Sequence, residues 1–148
     1  MVISESKPGA MSNSRVLYAA AAATGAMTLF MWIAPMIGLP GMNVGELLGT
    51  IFKGSTTLGW VMHLITGFIF AYLYVLFFND WLPVENPISR GAMYGIIVFI
   101  LAEIIITLVN LSGLLHWWEK EGMAMMIFGN LLAHLIYGSV LGAFFRER

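Results

Sequence analysis

Cysteine is absent from this 148-residue chain, and that gap excludes disulfides, thiolate zinc sites, iron–sulfur clusters and covalently attached c-type haem. Any metal would have to be held by His, Glu, Asp, Asn or Met. Charge is nearly as scarce: 10% of residues are charged, against about 25% in a typical soluble domain. Seven Lys and Arg almost balance eight Asp and Glu, which leaves no basic field to recruit nucleic acid and no acidic tail. Nucleic acid is therefore not an expected partner. Catalytic signatures are missing as well: no Ser-His-Asp arrangement, phosphate loop or GxSxG elbow occurs in the sequence. The expectation is a non-enzymatic protein.

What is present is apolar. Hydrophobic residues make up 59% of the chain and the mean hydropathy is +0.86. A chain of this length is long enough for one soluble domain, but water would not solvate such a surface. Four apolar stretches, 16–37, 58–78, 91–111 and 123–145, each match the ~20 residues needed to cross ~30 Å of hydrocarbon as a helix. Helices are the economical solution there, because lipid offers no partner to an unpaired backbone amide. The pattern predicts an all-α membrane protein with a lipid bilayer as its solvent. Residues 1–15 are polar and lack a hydrophobic period, so they read as a disordered tail preceding a four-helix transmembrane domain over 16–148. The first stretch runs on through Met27, Leu29, Phe30, Met31, Trp32 and Ile33, well beyond the 7–15 residues of a signal-peptide core, which argues for a retained helix. Pro35 should end or kink it.

Orientation follows from the cations. Lys7, Arg15, Arg90, Arg146 and Arg148 fall on one side of this arrangement, and Lys53 and Lys120 on the other. The positive-inside rule then puts both termini and the 79–90 loop in the cytoplasm, with Trp81 at the inner interface and Trp60, Trp117 and Trp118 at the outer one. On the outer side, 43–53 (NVGELLGTIFK) carries Val44, Leu47, Leu48, Ile51 and Phe52 at helical spacing, which predicts a short helix lying in the interface. The segment 112–122 (SGLLHWWEKEG) is expected to do the same.

The chain also repeats itself. His63-Leu64-Ile65-Thr66-Gly67 returns as His134-Leu135-Ile136-Tyr137-Gly138, Gly25-Ala26-Met27 returns as Gly91-Ala92-Met93, and Gly45-Glu46-Leu47-Leu48 has a weaker echo in Ser112-Gly113-Leu114-Leu115. This predicts two helical hairpins in parallel repeat, related by a pseudo-twofold axis along the membrane normal. Small residues mark the packing faces: Gly59, His63, Gly67 and Ala71 on the second helix, and Asn130, His134, Gly138 and Gly142 on the fourth. Such stripes let backbones approach closely, so the second and fourth helices are expected to form the inner pair. In the simplest reading the stripes are packing seams and nothing more.

Three ionisable residues lie inside the spans: His63, Glu103 and His134. A charge at the centre of a membrane helix costs about 2.5–3.5 kcal/mol on insertion scales, so such residues are functional candidates by default. By helical rise all three fall at one depth, about two turns from the outer end. One reading makes His63 and His134 axial ligands of a haem b, with Gly67 and Gly138 leaving room for the macrocycle. Another combines His63, His134 and Glu103 as a metal or proton site. The bland alternative binds no cofactor: each imidazole donates to a neighbouring carbonyl, and Glu103 is satisfied by Thr107 or a buried water. His116, Glu119 and Glu121 cluster at the outer surface as ordinary solvated charge. Asn110 and Asn130 are expected to hydrogen-bond between helices, and the eleven Met to act as soft packing.

The segments GWVMHLITGFIFAYLY (59–74), VGELLGTIF (44–52) and LLAHLIYGSVLGAFF (131–145) together resemble a group of small four-helix prokaryotic integral membrane proteins of uncharacterised function. The similarity covers most of the chain after the tail, and the repeated H-L-x-x-G element is its most specific part. It implies a prokaryotic inner membrane and supplies neither substrate nor catalytic role. A chain with small loops acts through its lipid-facing and helix-packing surfaces. The leading expectation is therefore an accessory or structural subunit that docks on other membrane subunits or on itself, in a larger complex such as a respiratory one. The alternative is a small redox or ion carrier built on His63, His134 and Glu103.

Overall fold

The structure, a computed structural model, describes residues 13–113 and 122–145. Every regular element among them is helical: α1 (Asn13–Ile33), α2 (Val44–Gly49), α3 (Thr56–Leu73), α4 (Asn79–Trp81), α5 (Pro87–Leu111) and α6 (Met123–Ala143). Turns of 3-10 helix extend α1 over Ala34–Ile37 and α2 over Thr50–Phe52, and a π-helical turn over Tyr74–Phe78 joins α3 to α4. Four continuous spans result, Asn13–Ile37, Thr56–Trp81, Pro87–Leu111 and Met123–Ala143, each long and apolar enough to cross a membrane. The chain is a multi-pass membrane protein.

The ends of these helices are written in local chemistry. Asn43, Ser55 and Asn86 each sit in extended backbone and accept from amides of the turn they precede: Asn43 Oδ1 from Glu46 N, Ser55 Oγ from Leu58 N, and Asn86 Oδ1 from Ile88 N and Ser89 N. Pro87 then occupies the first turn of α5, where its missing N–H costs nothing. Pro35 stops α1 as expected: the helix tightens to 3-10 geometry at Ala34 and closes on Gly38, whose φ of 85° suits glycine.

The packing differs from the sequence expectation in one respect. Spans one and four, not two and four, form the inner pair, with 39% of their apolar stretch buried against 17% for the other two. The reason lies in what each small residue meets. Val16, Ala19, Ala20, Ala23, Met27 and Met31 recur on one face of α1 and are all buried, and the run of alanines brings α1 close to α6. Gly138 and Gly142 of α6 face Gly91 and Gly95 of α5: a Cβ at Gly91 would strike the Gly138 carbonyl, and one at Gly138 the Gly91 carbonyl. Gly59 of α3 faces no spanning helix. It lies against the backbone of Gly45 and Gly49, so α2 folds back onto α3, with the Trp60 ring covering Gly45. Ala71 is buried in the shared core. The spans thus neighbour one another in the order α3, α1, α6, α5.

At one end of the bundle two arginines gather backbone oxygens. Arg90, 1% exposed, donates to Val84 O (3.3 Å), Phe145 O (3.1 Å) and the Tyr74 hydroxyl (3.4 Å). Arg15 donates to Phe144 O (2.7 Å) and lies over the Phe145 ring. Both therefore close the free carbonyl end of α6, where a cation also complements the helix dipole. Beside them Tyr74, Tyr94 and Phe78 stack, and the Tyr94 hydroxyl donates to Phe70 O (2.7 Å), which ties α5 to α3.

Candidate functional site

Beyond that aromatic plug α3 and α5 part, and a cavity of about 260 Å³ lies between them, backed by α1 and α6 and roofed by Met42–Val44, Leu47 and Leu48. His63, Glu103 and His134, singled out from the sequence, all line it. The sequence predicts one depth for all three, and the fold brings them round one space.

Each side chain is held by a named partner. His134, on α6, donates from Nδ1 to the Asn130 carbonyl one turn back (2.9 Å). A carbonyl only accepts, so this bond fixes the proton on Nδ1 and leaves Nε2, on the far side of the ring, with a lone pair. His63, on α3, meets the Thr28 hydroxyl through Nε2 (3.2 Å). That hydroxyl has one proton, and it goes to Thr24 O at the shorter distance of 2.8 Å, so Thr28 Oγ1 accepts from His63 and the bare nitrogen of His63 is Nδ1. An aromatic edge steadies each ring, Trp60 against His63 and Phe99 against His134. Asn130 bridges the set: its side-chain amide donates to Glu103 Oε1 (2.6 Å) while its carbonyl takes the His134 proton. Asn130 therefore does bond between helices, as its residue type and position predict, and fills the place expected of Thr107.

The wall is apolar elsewhere, with Met27, Met31, Phe70, Val98, Ile106 and Met126 among its residues. Four further polar residues border it: Thr24, Asn43, Thr66 and Tyr137. The Tyr137 hydroxyl donates to Gly67 O (2.6 Å). Thr24 is 1% exposed, and its Oγ1 has no hydrogen-bond partner. Unmatched buried hydroxyls are uncommon and costly, about 1–3 kcal/mol each. Thr24 does not stand out in the sequence, because one Thr in an Ala-rich helix is ordinary. The available signal is its place beside Gly67, where a Cβ would strike the Thr24 hydroxyl.

Two expectations from the sequence change here. The room that Gly67 and Gly138 were to leave for a macrocycle is occupied: Thr24 fills the notch at Gly67, and the α5 backbone fills the one at Gly138, which does not border the cavity. Nor do His63, His134 and Glu103 close into a metal set, since among the described residues no three His, Asp or Glu side chains come together in a group that could hold an ion. His116, Glu119, Glu121 and the tail 1–12 lie outside the described residues. The arrangement is suited to holding an uncharged or cationic molecule with an apolar body and a polar end.

No curated protein and no solved structure matches the chain. Residues 14–147 match the family of unknown function DUF6789. That match runs through all four membrane spans, and the chain belongs to the DUF6789 family.

Proposed function

We propose that this protein is a non-enzymatic membrane protein that binds a small, mostly apolar molecule inside its bundle. The observation that carries the reading is the cavity itself, apolar on most of its wall, with Thr24 Oγ1 unpartnered at its edge. Pockets that combine an apolar lining with a few convergent polar groups are the ordinary form of a small-molecule site. In this reading His63, His134 and Glu103 border an organic ligand in place of the haem or metal of the carrier reading. The bundle sits in a prokaryotic inner membrane, with the Arg15 and Arg90 end cytoplasmic by the positive-inside rule and α2 lying in the outer interface as one half of a twofold repeat of hairpins. Gly67 and Gly138, equivalent in the repeat, each pack on the first helix of their own hairpin, which supports that repeat, although the facing residues, Thr24 and Gly91, are one position out of register. The test uses a neutral apolar probe. Propylbenzene should raise the thermal midpoint of the wild-type protein, because a ligand that binds only the folded state stabilises it by mass action. It should leave Ala102→Phe, which fills the cavity, unmoved; equal shifts in both would overturn the reading.

One observation favours the accessory-subunit reading alongside it. Gly25 is exposed on α1 with open space where its Cβ would be, although its counterpart Gly91 is packed, and Ala21 lies exposed one turn before it. This face fits a helix of another subunit. Intact-assembly mass spectrometry after gentle extraction should find larger subunits with the wild type and not with Gly25→Leu; the same bare chain in both would remove this reading.

A further inference from the structure

Among the polar groups round the cavity, His63, Glu103 and His134 share one property: each has an accepting atom left over. His134 offers a lone pair at Nε2 and His63 one at Nδ1, because the proton of each ring is committed elsewhere. Glu103 takes a bond from Asn130 on Oε1 and has Oε2 left over. Among the described residues no Lys or Arg pairs with it: Arg15 and Arg90 are engaged at the opposite end of the bundle. The Thr24 hydroxyl, which can accept as well as donate, stands unpartnered beside them. A carboxylate within a membrane span is costly until a cation or a donor set satisfies it.

We propose that the cavity takes a small lipophilic amine, bound as its ammonium, with Glu103 as counter-charge and His63 and His134 accepting its N–H groups. An ammonium presents three donors and no acceptor, which answers the acceptors that His63, Glu103 and His134 offer, with the Thr24 hydroxyl beside them. A carboxylate ligand would face Glu103 and two lone pairs and be repelled. A neutral alcohol has one proton to give and leaves the carboxylate uncompensated. The apolar body of the ligand rests on Met27, Val98 and Ile106. This inference depends on the cavity being a ligand site at all, and its test separates the two claims.

The full chain in lipid nanodiscs is dialysed to equilibrium against empty nanodiscs with three probes of similar shape: 2-phenylethylamine, 2-phenylethanol and propylbenzene. The amine should bind at least about tenfold more tightly than the alcohol, since removing one partner of a buried charge pair costs more than that factor. Glu103→Gln keeps the bond to Asn130 and should abolish the preference without preventing the alcohol from binding. If amine and alcohol bind equally to the wild type, or Glu103→Gln binds the amine as well as the wild type does, the ammonium assignment is overturned while the cavity reading stands. If none of the three binds above the empty-disc background, both fall. The wild-type comparison needs no variant, so a poorly folded Glu103→Gln does not rescue the proposal.

Discussion

Replacing Gly91 and Gly138 by alanine, singly and together, probes the seam between α5 and α6. In each single variant the new methyl meets the facing backbone carbonyl closer than real Cβ contacts come, and at Gly91 it also meets the Cα of Gly142. Neither obstacle is a side chain that can rotate away, so α5 and α6 must separate along the seam. Overpacking typically costs about 1–3 kcal/mol, and a backbone obstacle places each variant toward the top of that range. The double variant is the sharper test. One separation of the helices makes room for both methyl groups, so its cost should fall short of the sum of the singles by about 1–2 kcal/mol, within the coupling seen between residues in contact. Gly25→Ala is the control: nothing lies within 4 Å of its added Cβ, and the change should stay within about 0.5 kcal/mol. Unfolding in mixed micelles, followed by helical circular dichroism against denaturing detergent, gives all four values. Additive singles, or singles as mild as Gly25→Ala, would refute the packing argument.

Other predictions use the same assay or a simple label. Arg90→Met removes the donors that satisfy Val84 O, Phe145 O and the Tyr74 hydroxyl and should destabilise by about 2–4 kcal/mol. Arg90→Lys should recover little of this, since one ammonium does not span the oxygens a guanidinium fork reaches. Asn86→Ala uncaps α5, which loses the bonds to Ile88 N and Ser89 N, and should cost about 1 kcal/mol. Because the chain has no cysteine, Lys53→Cys and Glu85→Cys report sidedness without background. An impermeant maleimide should label the first in intact cells and the second only after lysis, and the reverse pattern would invert the orientation.

The membrane spans are legible in the sequence because a helix crossing a bilayer is the main structure that uses an apolar run of that length. Their ends are less so. Residues 13–15 are polar yet α1 already includes them, and Asn79 and Asp80 continue the second span to Trp81 through a π-helical turn that no hydrophobic pattern announces. The sequence repeat predicts one height for His63 and His134, and the fold gathers both with Glu103 round one cavity. A stripe of small residues, however, states that something packs closely and not what: Gly59 receives α2, and Gly138 receives α5. Arg90 is legible as a charge that orients the chain, but not as the residue that closes α6. Its partners are two carbonyls and a hydroxyl, and only the folded chain brings Val84, Phe145 and Tyr74 together around it.

The central claim is that the space between His63, Glu103 and His134 holds a molecule. Native mass spectrometry of the protein released gently from the membrane it was made in addresses it directly. The wild-type chain should fly with a small organic adduct of constant mass in one-to-one ratio, and Ala102→Phe should fly bare. A bare wild-type chain, or an adduct that persists when the cavity is filled, would contradict the account.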